Sequence, residues 1–329
     1  MKRSYYLFSN GELKRRDNSL IIKNTRTSKY IPVEDVNQIY VFGEISFNSK
    51  LTNFLFQNNI TVHFFNYYGY YSGSFYPREN LLSGDVHLKQ AVNHLNFHKR
   101  LLIAKEFINS ASFNISRNLK YYNRKGITLE FQIKEIDFLR KKINNVNSIE
   151  ELMGIEGNIR KIYYSTWDFF INQNINFKKR EKHPPKNWIN SLISFINSLI
   201  YTTTLTEIYH THLDPTISFL HSPSERRYSL SLDISEIFKP IVGDRLIFSL
   251  LNKNMITHES FIEEFNHIIL KDSAKKIILK EFDERLKQTI KHKKLNKKVS
   301  YRRLFRLECY KLEKHVTEDT KYEGFKIWW

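Results

Sequence analysis

The sequence predicts an α+β protein in which a small β-rich N-terminal domain, residues 1–80, precedes a large all-α domain, residues 81–329. Two patterns carry that expectation. Over the first eighty residues short β-branched and aromatic runs are divided by turn formers, and after Pro77 apolar residues recur three and four apart almost to the end. With 329 residues and 41% hydrophobic content, both domains can bury a core.

In order, YYLF, SLIIK, QIYVF, ITVHFF and YSGSFY read as strands. Asn10-Gly11 is a hairpin signal, Gly43, Gly69 and Gly73 punctuate the later runs, and SKLTNFLFQNN reads as a short helix between two strands. The tyrosines of NYYGYYSGSFY suit sheet or interface packing better than stacking on bases. HLKQAVNHLNFHKRLLIAKEFINSASFNISRNLKYY opens the helical region. Ser148 and Glu151 have capping-box spacing, so a helix should run from there through LMGIEGNIRKIYYSTWDFFI. Pro184-Pro185, after the basic run KKREKH, breaks the pattern, and Asp214-Pro215 marks a turn between two further helices. No internal repeat is present.

Lys and Arg number 52 against 34 Asp and Glu, a formal charge of +18 that suits a polyanionic partner, nucleic acid first, or simply confers solubility. The densest cluster, KQTIKHKKLNKKVSYRRLFR, fits a phosphate-tracking surface or a solvated helix face. The N-terminus lacks the apolar run of a signal peptide and no segment matches a membrane span, so no membrane partner and a cytoplasmic location are expected. The single cysteine, Cys309, excludes an intramolecular disulfide and a cysteine-built zinc site, and its apolar neighbours suit the core.

Leu152, Ile155, Ile159 and Ile162 form the expected buried stripe of the helix after Ser148, with Glu156 at its rim, where a carboxylate needs a partner. Gly157 beside it costs about 1 kcal/mol relative to Ala in a helix interior and suggests a close approach to the backbone. In LDPTISFLHSPSERRYSLSLDISEIFKPIVGDRLI, His221 follows an apolar run, and Asp233 and Glu236 stand three apart, on one face of a helix. A histidine with carboxylates from separate elements gives mixed nitrogen and oxygen ligation that suits Mn²⁺ and tolerates Mg²⁺, as phosphodiester chemistry requires. Asp233 also reads as an N-cap with Glu236 at the third helical position, which would leave it a supporting role. Lys239 and Arg245 are candidates to contact DNA phosphate, or to pair with Asp233 or Asp244. His94 and His98 are spaced i, i+4 but lack a third ligand and suit an amphipathic surface; His210 and His212 have no recognisable partner. No Gly-rich phosphate loop, serine elbow or dinucleotide fingerprint occurs.

The stretch from PPKNWINSLISFINSLIYTTTLTEIYHTHLDPTISFLHS to PIVGDRLIF closely resembles the signature region of the CRISPR-associated spacer-acquisition integrases, the Cas-one family, most of all its type I-B branch. ELMGIEGNIRKIYY resembles that family's first catalytic segment, and VSYRRLFRLECYKLEKH with the run from Tyr322 to Trp329 resembles its C-terminus, so the likeness spans the chain. The resemblance implies a metal held by Glu156, His221 and Glu236, with Asp233 at a nearby acidic position. Glu236 stands where some relatives have aspartate, and Ile159 where relatives often keep a small residue. It further implies a homodimer through residues 1–80, catalysis and DNA binding by residues 81–329, and a larger complex with a dimer of the small Cas-two protein. The implied reaction inserts protospacer DNA into a repeat array by attack of a 3′ hydroxyl on a repeat phosphodiester. Two other functions fit the same residues: a stand-alone structure-selective repair nuclease, and a non-catalytic nucleic-acid scaffold whose carboxylates only form salt bridges.

Overall fold

The computed structural model describes residues 2–24, 27–77, 81–177, 179–181, 185, 187–223, 228–264, 267–292 and 295–328. Pro184, part of the expected helix break, Lys178, Lys182 and His183 of KKREKH, and Trp329 lie outside the described residues.

The β-branched and aromatic runs become β1 (Arg3–Leu7), β2 (Gly11–Arg16), β3 (Ser19–Lys23), β4 (Ser28–Pro32), β5 (Val36–Val41) and β6 (Ile45–Ser46). Helix α1 (Ser49–Gln57) follows, then β7 (Thr61–Phe65) and β8 (Tyr71–Phe75). They form two four-stranded sheets, ordered β1-β5-β7-β8 and β4-β3-β2-β6. One core joins them, with Leu7, Val36, Ile39 and Val62 from the first sheet, Leu13, Leu20 and Ile31 from the second, and Leu51, Phe54 and Leu55 from α1. Period-two alternation supplies this arrangement, since each sheet turns alternate residues inward.

Asn10-Gly11 is not a hairpin. β1 runs parallel to β5 and β2 pairs antiparallel with β3, so this dipeptide carries the chain from one sheet to the other. Asn10 Oδ1 accepts from the Glu44 backbone N–H at 2.9 Å, which ties the crossing to the start of β6. The tight reversal falls at Asp17, φ 51°, between β2 and β3. Parallel pairing of β1 buries Leu7 and overrides the local turn preference. Within the aromatic run, Tyr71 packs against His63 and Phe65 in the sheet, while Tyr67 is exposed.

The helical region comprises α2 (Gly84–Leu95), α3 (Phe97–Arg124), α4 (Glu130–Lys142), α5 (Ile149–Ser165), α6 (Trp167–Phe170), α7 (Trp188–Ile208), α8 (Ser229–Phe238), α9 (Arg245–Asn252), α10 (Asp272–Lys287) and α11 (Tyr301–Glu318). It is predominantly helical, as expected, with two local departures. Phe261–Glu264 and His267–Leu270 form one two-stranded ribbon, and Thr289–His292 and Lys297–Ser300 another. The second takes the middle of the basic cluster and Tyr301–Arg306 begin α11, so the cluster is not one helix face. Cβ branching in TIKH and KKVS and the left-handed Asn296, φ 48°, favour it. By contact the chain divides into two units, residues 1–80 with 269–279, and residues 81–268 with 280–329.

A π-helical turn, Lys239–Asp244, joins α8 to α9. Pro240 has no N–H to give the carbonyl of Glu236, so the α-helical ladder cannot continue there. Asn114 Nδ2 donates to Ile237 O at 3.0 Å and Asn118 Nδ2 to Pro240 O at 2.8 Å, satisfying carbonyls on both sides of the break. Gly243 packs on α7, where a Cβ would stand 2.6 Å from Ile200 Cδ1, so a larger residue would require the end of the Ile200 side chain to swing aside.

Candidate active site

Glu156, His221 and Glu236 line one cavity of about 400 Å³. The expected cap fixes the position of Glu156: Ser148 Oγ accepts from Glu151 N at 3.1 Å and α5 runs on from there. Glu151 Oε2 accepts from Asn147 N, one residue before the cap. Leu152, Ile159 and Tyr163 are buried, while Ile155 and Ile162 are half-buried, leaving Glu156 at the rim. Among the described residues no atom apart from the backbone of its own helix comes within 4 Å of a Cβ built on Gly157, so none of them makes the close approach suggested by that glycine. Gly157 instead lines the cavity.

Asp233 shapes the second part of the site. It does not cap α8, which starts at Ser229; it lies inside the helix, fully buried. Its Oδ2 accepts from Phe219 N at 2.7 Å and Leu220 N at 2.9 Å, and its Oδ1 from His221 N at 3.0 Å. The same Oδ1 lies 2.8 Å from His221 Nδ1, which directs the other ring nitrogen away from Asp233. The loop is gripped from α2 and α3 as well. Gln90 Nε2 donates to Ile217 O at 2.7 Å, Arg100 Nε to Phe219 O at 2.8 Å, and His94 Nδ1 lies 2.5 Å from Ser218 O. His94 is therefore a half-buried loop anchor, whereas His98 is exposed. His212, expected to lack a partner, has its Nδ1 2.7 Å from Glu313 Oε1.

The carboxylates are bridged by cations. Arg160 Nε donates to Glu156 Oε1 at 2.7 Å, Arg160 Nη2 pairs closely with Glu236 Oε2, and Lys239 Nζ donates to Glu236 Oε1 at 2.5 Å. Among the described residues no three His, Cys, Asp or Glu side chains are clustered tightly enough to hold a metal. Burial alone would raise the Glu236 pKa, but Lys239, Arg160 and His221 together hold it well below the usual carboxylate range. Burial likewise disfavours the His221 imidazolium, yet the hydrogen bond and charge of Asp233 carry its pKa above the ordinary histidine value. Arg160, Lys161, Lys179, Arg180 and Lys239 also line the cavity, giving five basic side chains against two carboxylates. Lys239 thus lies in the cavity, and Arg245 lies outside it. Arg160 was legible as the i+4 partner of Glu156; its second bond, to Glu236, required the tertiary fold.

Asp244, at the end of the π-helical turn, is 2% exposed, and its Oδ2 has no hydrogen-bond partner among the described residues. Burial, opposed by Arg160, the Tyr163 hydrogen bond and Lys239, pushes its pKa from 3.8 up to about 7. A carboxyl raised on folding contributes stability that is complete below its unfolded pKa and is lost as pH rises through the folded value. Asp244→Asn, neutral throughout, is expected to melt above the parent at pH 8, with an advantage that shrinks toward pH 4 and a span of roughly 4 kcal/mol. Parallel melting-temperature profiles for the two proteins would contradict this.

Comparison with known proteins identifies the family. The model of the family "CRISPR associated protein Cas1" matches residues 5–284. The chain is 56% identical to "CRISPR-associated endonuclease Cas1" of Fusobacterium nucleatum, over 100% of this chain and 98% of that protein. It is 50% identical to "CRISPR-associated endonuclease Cas1 2" of Thermodesulfovibrio yellowstonii, over 100% of both. Its fold superposes on a Cas1 protein from Thermotoga maritima with a TM-score of 0.87 at 41% identity, covering 98% of this chain and 100% of that one. By family model, by sequence and by fold, the chain belongs to the Cas1 family of CRISPR-associated proteins.

Proposed function

We infer that the chain is a metal-dependent DNA integrase and endonuclease of CRISPR adaptation, inserting protospacer DNA into the repeat array. The observation that carries this reading is the cavity itself, where Glu156, His221 and Glu236, from three separate segments, meet five basic side chains. The donor chemistry fits a divalent cation. Glu236 is held ionised, the Asp233 contact leaves one ring nitrogen of His221 for a ligand, and Glu156 Oε1 is held by Arg160 at the cavity rim. Glu156, His221 and Glu236, drawn closer together than they lie in the cavity here, would hold Mg²⁺ or Mn²⁺, which suits one nitrogen and two carboxylate donors and, when bound, would polarise the phosphodiester and stabilise the leaving oxygen.

Lys239 and Arg160 keep Glu236 charged, and Lys161, Lys179 and Arg180 supply positive charge for the nucleic-acid backbone. The 3′ oxygen of the incoming strand bonds to phosphorus as the repeat's P–O3′ bond breaks. The attacking hydroxyl loses its proton and the leaving oxygen gains one. One phosphodiester replaces another, so alignment and charge stabilisation are the protein's contribution. With water as nucleophile the same site cleaves DNA.

Residues 1–80 are assigned to homodimerisation, and residues 81–329 to catalysis and DNA binding. A second copy and the small Cas-two dimer are the protein partners. Exposed Leu88, Val92 and Leu95, at helical spacing on α2, support an assembly, since a contiguous apolar stripe is unusual on a monomer. Incubation of the protein and its small partner with a repeat-containing plasmid and short duplex DNA is expected to give strand-transfer products with Mg²⁺ or Mn²⁺, and none with EDTA. Hydrolysis without joining would instead identify a structure-selective nuclease.

A further inference from the structure

We propose that the cup lined by Tyr121, Arg124, Arg245, Arg285 and Tyr301 is a second DNA contact, holding a backbone phosphate away from the catalytic cavity. The cup measures about 430 Å³, and among the described residues it shares no lining residue with the cavity around Glu236 and has no Asp or Glu in its lining. Its arginines come from three elements: Arg124 from the end of α3, Arg245 from the start of α9 and Arg285 from the last turn of α10.

Two of them lie over aromatic rings, Arg245 with its guanidinium carbon 5.1 Å from the Tyr121 centroid and Arg285 4.8 Å from that of Tyr301. Stacking occupies the face of a guanidinium and leaves its N–H edge for oxygen acceptors, the fork geometry that suits phosphate. Arg285 donates to neutral oxygens, Gln288 Oε1 at 2.9 Å and Ile241 O at 2.6 Å, and its buried Nε has no hydrogen-bond partner among the described residues. Burial pulls the Arg285 pKa below the ordinary guanidinium value; Tyr301 opposes that pull and Arg245 adds to it. Positive charges so arranged repel one another until an anion enters.

The aromatic rings argue against a base as the occupant. Tyr301 is 3% exposed, and Tyr121 has the Lys125 ammonium 4.8 Å from its centroid in addition to Arg245. Recognition is therefore of phosphate oxygens and independent of base sequence. The bond from Arg285 to Ile241 O, within the π-helical turn, links the cup to the segment whose first residue, Lys239, holds Glu236.

This inference rests on DNA being the substrate, and fluorescence anisotropy of the full-length protein with labelled duplex DNA across a salt series separates the two claims. Arg124→Glu and Arg285→Gln are each expected to weaken duplex binding about tenfold. Each should also flatten the dependence of log K on log salt by about 0.9, the effect of one lost phosphate contact. Arg124 is exposed at the helix end, so its variant decides the matter if Arg285→Gln does not fold. Parental affinity and slope in a folded variant would overturn the cup alone. Absence of duplex binding by the parent would overturn the functional reading and the cup with it. Inorganic phosphate that raises the parental melting temperature, but not that of the variants, while their DNA binding stays parental would show a free-anion site and overturn the backbone assignment.

Discussion

Glu156→Ala is expected to lower both DNA joining and DNA cleavage by roughly 10³-fold, about 4 kcal/mol of transition-state stabilisation, while the protein stays folded and keeps its affinity for duplex DNA. The side chain is 27% exposed, and its pairing with Arg160 is an i, i+4 contact of a kind worth only a few tenths of a kcal/mol. After its removal Arg160 still pairs with Glu236. Glu236 behaves differently. Alanine there would take the acceptor from Lys239 and leave Arg160 with Glu156 alone in a buried setting, and breaking such a pair typically costs about 3–5 kcal/mol. An inactive Glu236→Ala protein would therefore be ambiguous. Glu236→Gln keeps the volume and one acceptor oxygen and is the informative change, with a loss of activity comparable to that of Glu156→Ala. Joining yield, melting temperature and duplex affinity measured on both variants give the test. A folded Glu156→Ala protein that joins DNA at the parental rate would remove the basis for the assignment.

The contrast between these two carboxylates marks how far the sequence could be read. Local signals were legible where a short stretch determines its own structure. Ser148 starts α5 as its capping pattern requires, and Leu152 and Ile159 turn inward as their spacing requires. The strands SLIIK and QIYVF likewise form where β-branched runs predict them. Signals that depend on distant partners were not legible. Asn10-Gly11 has the composition of a hairpin, but the pairing of β1 with β5, some thirty residues away, decides its use. His94 looks like one member of a surface pair until the loop carbonyl of Ser218 lies against it. Pro240, four residues after Glu236, does announce a broken ladder; the repair by Asn114 and Asn118 of α3 needed coordinates. The three residues assigned to the metal were read as chemistry, and what holds them, Arg160, Lys239 and Asp233, was only partly visible.

Asp233 gives the sharpest consequence of that supporting structure. Asp233→Ala would leave the N–H groups of Phe219 and Leu220 and the contacts of His221 without their acceptor, each buried donor costing about 1–3 kcal/mol. The protein should lose several kcal/mol of stability and nearly all activity, because the segment carrying His221 would no longer be fixed. Asp233→Asn separates shape from charge. Its amide can offer one oxygen, but the NH₂ group must then face either the two backbone donors or His221, so some of the grip is lost in each orientation. The histidine reports the difference. Its pKa is raised in the folded protein, so it contributes stability that is present below the unfolded value near 6.5 and disappears as pH rises through the folded one. Without the Asp233 charge, burial should dominate, moving the imidazole titration to lower pH and removing that part of the pH dependence of melting. Imidazole NMR titration and melting temperatures at pH 6 and 8 distinguish the cases. A folded Asp233→Asn protein with an unchanged His221 titration would mean that the histidine is held by its loop alone, and that the buried carboxylate acts on the backbone without setting the charge of the site.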